Sequence, residues 1–456
     1  MQCYAKSLFI FRRDLRLIDN TALNAALRQS QQVLVCFIFD PRQIEPHSYQ
    51  SLPALQFMLQ SLEDLQQQIA KQGGVLYLFK GNPAQIINQL QSQQGIQSVF
   101  VNRDYTPFSR QRDSEIQQQC LQLKLDFHSH GDALLNEPEQ VLKQDATPYQ
   151  VFTAYYHRAR QIPVRQPQPL ATGKIENSFL AGMEIISIES LKLQNAYALH
   201  GGRSAATKIL ANINPTCRNY LEQRDLPALE ATSHLSAYLK FGCCSIREAY
   251  YAVLQGLGNE HALLRQFYWR DFFTHIAWHY PHVFGHAFHR RYDGIQWQNN
   301  PDWFWAWANG HTGFPLVDAA MRELNATGWM HNRLRMVVAS FLVKDLHVSW
   351  RWGERYFAQH LLDYDPCVNN GNWQWTASTG CDAQPYFRVF NPWLQQRKFD
   401  ADCEYIKRWL PELRVFSAKI IHQWQDKPQA ADYPSPMVDH ALQSRDIKAL
   451  YQAAIH

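Results

Sequence analysis

No C-x-x-C pair occurs among the 9 cysteines of this 456-residue chain. Neither a zinc motif nor a secreted disulfide framework is written into it, so a reducing, cytoplasmic setting is expected. No glycine fingerprint follows the first apolar run. The loop there reads FRRDLRLIDN, which excludes the usual dinucleotide-binding turn. The longest apolar stretches, residues 33–39 and 336–343, are too short to span a bilayer, and the N-terminus carries no signal-peptide pattern. No membrane partner is expected. A strong net charge is missing as well: at a formal +4, a nucleic-acid partner would have to be met by a local cationic surface. Tryptophan is absent from the first 268 residues, yet 14 follow.

What is present divides the chain. At this length two domains are the default, and a hydrophobic fraction of 46% with 18% charged residues describes a well-packed globular protein. In the first third, apolar runs at 7–11, 33–39, 75–79 and 98–101 alternate with helical patterns at 21–28, 54–71, 83–93 and 109–123. Strand–helix alternation at this spacing predicts a parallel α/β sheet. From 136 to 200 periodicity weakens and prolines recur, which reads as a connector, helical around 151–161. From Gly201 strand signals nearly vanish, and helical runs at 262–278, 315–324, 331–346 and 352–362 predict an all-α domain. The expected division is 1–135, 136–200 and 201–456.

Four constellations carry chemistry. Residues three and four apart share a helix face, so Trp329, Asn332, Arg333 and Met336 fall along one side of the helix near 330–346. Leu334, Val337, Val338 and Phe341 serve the core. Arg335 is expected to pair with Asp363, because Asp363 and Asp365 sit in apolar context and charges are seldom buried unpaired. In a second segment, Thr232, Ser233, His234, Leu235 and Ser236 precede an apolar helical run. Hydroxyls and free N–H groups at a helix start suit an anion, although a plain N-cap explains Ser and Thr equally well. The third is RQFYWRDFFTHIAWHYP at 265–281, where rings interleave with cations as an unstacked base and its phosphate require; an amphipathic helix with aromatic core residues is the plainer account. The fourth is the tryptophan set. The histidines of 275–289 lack an accompanying carboxylate motif, so no metal site is expected.

The motifs TGWMHNRLRM, DYDPCVNNGNWQW and FNP at Phe390 closely resemble the DNA photolyase and cryptochrome family, and the likeness runs from Phe11 to Leu413. It implies an α/β Rossmann-like N-terminal domain and an all-α C-terminal domain that binds FAD. Flavin contacts carried over are Tyr220, Thr232 to Ser236, Arg335, Asp363, Tyr364, Asp365 and Asn369, with Asn369 at the reactive edge of the ring. Trp297, Trp350 and Trp373 match the family's electron chain. Trp269 and Trp375 would wall the lesion, Gln266, Asn332, Arg333 and Met336 would touch it, and Arg270 and Gln395 match positions near the DNA backbone. A second, light-harvesting chromophore of folate or deazaflavin type is common in the family. The folate-binding Asn-Glu pair is replaced here by Phe108 and Ser109, while His47 is a candidate lining residue.

Within the family the resemblance is greatest to the class I enzymes that split cyclobutane pyrimidine dimers in ultraviolet-damaged DNA, acting as monomers without an obligate protein partner. A six-four photoproduct enzyme would carry two histidines where this chain has Asn332 and Met336. Gln266 points the other way, since dimer-repair members usually have Glu there. A light sensor would show altered lesion contacts, yet Trp269 and Trp375 both remain.

Overall fold

The computed structural model describes residues 4–180, 183–191, 197, 199–426 and 432–454. Five parallel strands, β1 (Tyr4–Phe11), β2 (Ser30–Phe39), β3 (Leu76–Lys80), β4 (Ser98–Asn102) and β5 (Asp126–His130), lie in the order β3-β2-β1-β4-β5. The central strands read as unbroken apolar runs because both sheet faces are covered. Phe9, Phe11, Val33 and Val35 enter one core, and Leu8, Ile10, Leu34 and Cys36 enter the other. The covering helices start where short polar side chains can cap them: Asn20 for α1 (Thr21–Gln29), Ser51 for α2 (Leu52–Lys71), Asn82 for α3 (Pro83–Gln94) and Thr106 for α4 (Pro107–Gln122). Strand β5 was not among the sequence expectations. Its sequence, DFHSH, is a polar edge strand with no apolar run to betray it.

The connector is more than a tether. It contributes α5 (Phe152–Ala159), then returns to the sheet, where Val33 N–H donates to the Lys174 carbonyl at 2.9 Å and Glu176 N–H to the Val33 carbonyl at 2.8 Å.

The second half is helical. Its helices include α6 (Ser236–Lys240), α7 (Ile246–Leu257), α8 (Ala262–His279), α9 (Pro301–Ala308), α10 (Pro315–Thr327), α11 (Asn332–Ser340), α12 (Trp350–His360), α13 (Pro366–Thr376) and α14 (Pro392–Phe399). The run expected as one helix over 331–346 is instead α11 followed by a π-helical turn at Phe341–Asp345. Leu334, Val337, Val338 and Phe341 are all buried, as the spacing requires. Among the described residues no helix is long and apolar enough to cross a membrane.

Charge locks the two halves. The loop after β1 sends Arg16 to Asp132 at 2.5 Å, while Arg247 on α7 reaches Asp19 and Asp132 at 2.7 Å each. Arg13 bridges Asp104 and Asp365. Gly242 lies at φ +65 directly against this loop, and a side chain there would run into the backbone of Arg13 and Asp14. Buried pairs of this kind fix relative placement more than they add stability.

Candidate functional site

A cavity of ≈ 580 Å³ lies among α6, α8, α11 and α13, neither filled by side chains nor sealed from outside. That size suits a bound small molecule. On α11, Asn332, Arg333, Arg335 and Met336 all line it, together with Trp329 just before the helix. Arg335 forms a two-pronged pair with Asp363, Nη1 to Oδ1 at 3.2 Å and Nη2 to Oδ2 at 2.9 Å, and its Nε donates to the Met330 carbonyl at 2.8 Å. The planar fork leaves both groups held in one orientation.

The start of α13 is set by Asp365. Its carboxylate accepts from Cys367 N–H at 3.0 Å and Val368 N–H at 3.2 Å, with Pro366 in the first turn. The same group pairs with Arg13 from the far end of the sequence. Burial pushes this acid up, but Arg13, Lys240 and Arg270 outweigh it and bring it down to about 2. One turn on, Asn369 commits its amide nitrogen to the carbonyl and the side chain of Glu354, both at 3.0 Å, which leaves Oδ1 for the cavity. Burial raises Glu354 to about 7 against the hydrogen bonds it accepts.

Trp373, one further turn along α13, lines the cavity and is buried. Its ring presses on α12 at Gly353, where any Cβ would overlap the indole. Gly353 is one turn from Trp350, itself buried, while Trp297 is partly exposed and packs edge-on to Tyr451 at 5.9 Å. Trp373 thus stands at the cavity wall, Trp350 in the core and Trp297 partly open to solvent.

The 232–236 segment departs from the N-cap account. Helix α6 is five residues long and receives no side-chain cap, so the Thr232 and Ser236 hydroxyls are not used there. His234 sits at φ +51 with its ring 4.6 Å from Trp329, and its Nδ1 is buried without a protein partner. Tyr220, Thr232, Ser233, His234, Leu235, Ser236, Tyr364 and Asp365 all line the cavity.

At the α8 side, Gln266, Trp269 and Arg270 contribute. Trp269 is braced from behind by Phe152, stacked at 3.6 Å between centroids. Two expected DNA contacts are engaged with protein. Arg270 donates to the Ala133 carbonyl at 2.6 Å, and Arg333 grips Asp225 at 2.9 Å while lying 4.6 Å over the Phe399 ring. Trp375 and Gln395 stand outside the lining, and Gln395 Oε1 is buried without a partner. Sequence reasoning missed Glu354, Asp225 and Arg13, whose partners are remote in the chain, and Lys240, which only tertiary packing brings to the lining. No group of three or more His, Cys, Asp or Glu side chains suited to a metal occurs among the described residues.

A second cavity of ≈ 440 Å³ opens beside the carboxyl ends of β1 and β2 and includes His47, Phe108 and Ser109. Lys240 and Tyr364 belong to the linings of both cavities.

Two family descriptions match. One, the FAD binding domain of DNA photolyase, covers residues 263–453, and the other, DNA photolyase, covers residues 7–172. A deoxyribodipyrimidine photo-lyase of Synechococcus sp. is 37% identical, over 98% of this chain and 96% of its own length. A crystal structure of an archaeal photolyase from Sulfolobus tokodaii with two FAD molecules is 41% identical, with a TM-score of 0.90, covering 99% of this chain and 100% of that one. A Synechocystis cryptochrome structure is 28% identical, also with a TM-score of 0.90, covering 99% and 100%.

Proposed function

The chain belongs to the DNA photolyase family, and from that premise we propose that it is a light-driven repair enzyme that splits cyclobutane pyrimidine dimers in ultraviolet-damaged DNA. The observation that carries this reading is a single cavity. The amides of Gln266 and Asn332, with Met336 and the Trp269 wall, open onto the same space as the Arg335–Asp363 pair and Asn369.

The lining suits FAD, the family's cofactor. A buried His234 Nδ1 without a protein partner, uncommitted hydroxyls and the free Oδ1 of Asn369 supply polar contacts for a nucleotide and a flat ring. When bound in its reduced form, FAD would supply the light-driven donation of one electron and its return. The protein's part is placement. Enzymes that act on a base take it out of the stack, photolyases among them, and a lesion that already distorts the duplex leaves more easily. Trp269, held rigid by Phe152, gives the extruded pair an apolar wall, and the Gln266 and Asn332 amides hydrogen-bond its edges. Asn369, oriented by Glu354, would hold the flavin through its Oδ1. Trp373, Trp350 and Trp297 form the route by which electrons reach that cavity from outside. Arg333 reaches a DNA phosphate by exchanging Asp225 for it. Residues 1–135 form the antenna domain, 136–200 the connector and 201–456 the catalytic domain, and the ≈ 440 Å³ cavity holds a second chromophore.

A light-dependent repair assay run in parallel on both ultraviolet lesion types tests this. Cyclobutane dimers should be split and six-four photoproducts left intact. Repair of six-four photoproducts alone would reassign the substrate and give Gln266 the deciding weight. Repair of neither, with flavin bound and photoreducible, would favour a sensor like the cryptochrome it resembles.

A further inference from the structure

The wall between the two cavities is built of charge. Arg13 lines the N-terminal cavity, donates through Nη1 to Asp104 at 3.2 Å and through Nε to the Lys240 carbonyl at 3.1 Å, and pairs through Nη2 with Asp365 in the C-terminal lining. Both carboxylates are thus held by this one guanidinium. The remaining cation, the Lys240 ammonium, lies within electrostatic range of Arg13, Asp365 and Asp104, yet no hydrogen bond or ion pair to a protein group fixes it among the described residues. Burial and then Arg13 pull it down to about 8, against Asp365 and Asp104. This half-buried ammonium lies 5.6 Å over the Phe241 ring, and an anionic oxygen in either cavity would give it an ionic partner.

The N-terminal cavity favours such an anion. Arg12, Arg13, Arg42 and Arg112 line it with Asp40 and Asp104; Asp113 pairs with Arg12 and Arg112 and Glu115 with Arg42 from outside the lining, yet Arg12 Nε and Arg112 Nη2 stay buried with no hydrogen-bond partner. We propose that Lys240 is an anion anchor shared by both cavities, so that an anionic occupant of the N-terminal one loosens the dinucleotide in the other. One ammonium cannot satisfy two anions at full strength, and linkage makes the effect reciprocal. A neutral occupant of the same shape leaves the dinucleotide undisturbed. This rests on FAD occupying the C-terminal cavity, as read above.

The test uses the full-length, FAD-loaded protein and two probes with one ring system, riboflavin without a phosphate and FMN with one. The readout is the first-order rate at which FAD leaves. Simple competition for the FAD cavity cannot change that rate, so an acceleration reports a probe bound elsewhere. Saturating FMN is expected to speed FAD loss about tenfold, in the ordinary range of site–site coupling, while riboflavin does not. Lys240→Gln should erase the difference between the probes, and Lys240→Arg should keep it. The proposal is overturned if both probes act alike, if neither acts at any concentration, or if the FMN effect survives Lys240→Gln. Absence of FAD from the purified protein would instead defeat the functional reading, and absorbance before the titration separates the two failures.

Discussion

Two cavities of similar size share a wall, yet only one is ringed by tryptophan. The N-terminal cavity sits where ligands collect in parallel sheets, outside the carboxyl ends of the strands, and its rings are those of Phe11, Phe37, Phe39, Phe108, Phe241, His47, Tyr49 and Tyr364. The C-terminal cavity lies among helix ends and is faced by Trp269, Trp329 and Trp373. Phenyl rings resist oxidation where indoles yield. The first cavity therefore suits a pigment that only absorbs, and the second suits one that exchanges electrons. The absence of tryptophan from the first 268 residues foreshadows this division.

The largest expected effect would come from Trp373→Phe, which should abolish photoreduction while sparing repair once the flavin is reduced chemically. Phe108→Leu, its counterpart in the other cavity, should leave photoreduction intact. Flavin absorbance under blue light reads both, and a loss in the Phe108 variant would break the comparison. Next is Arg335→Ala. It strands Asp363, a deeply buried acid, and should cost roughly 3 kcal/mol in denaturant unfolding and most of the bound FAD. Lys80→Ala removes the exposed Lys80–Glu45 pair of the N-terminal half and should cost less than about 1 kcal/mol. Equal losses would show that burial of the acid does not set the difference.

Glu354 sharpens the contrast through pH. Burial raises it from 4.5 to about 7, so the folded protein keeps a proton that the unfolded chain releases earlier. The stability this lends is whole below pH 4.5 and is lost as pH rises through 7. Glu354→Gln should flatten the stability profile across that window by roughly 3 kcal/mol at most. An unchanged slope would mean the acid is already ionised in the fold. The smallest effect belongs to Arg333→Ala. It should reduce the salt dependence of binding to dimer-containing DNA by about one phosphate's share, a slope change near 0.9. An unaltered slope would remove Arg333 from the phosphate contacts.

Local pattern carried much of this molecule. The four apolar strands and the helices between them stood out because burial on both sheet faces leaves runs that polar residues do not interrupt. Strand β5 stayed hidden because an edge strand with one wet side can be written as DFHSH. The helix expected through residue 346 hid a π-turn, since the apolar spacing of 341–345 does not reveal a change of hydrogen-bond register. In the site, Arg335 and Asp363 were legible from charge in apolar context. Arg333–Asp225, Asn369–Glu354 and Arg13–Asp365 were not, because each joins groups that only tertiary packing brings together.

That last pair has a bearing on biosynthesis. Arg13 leaves the ribosome early, and Asp365, which starts the helix bearing Asn369 and Trp373, emerges 352 residues later. The common partition cannot close until Asp365 has been made. Separately expressed halves would leave Asp365 without Arg13, and Arg247 without Asp19 and Asp132, so splitting the gene at the connector would yield two polypeptides that must find each other before either cavity is complete.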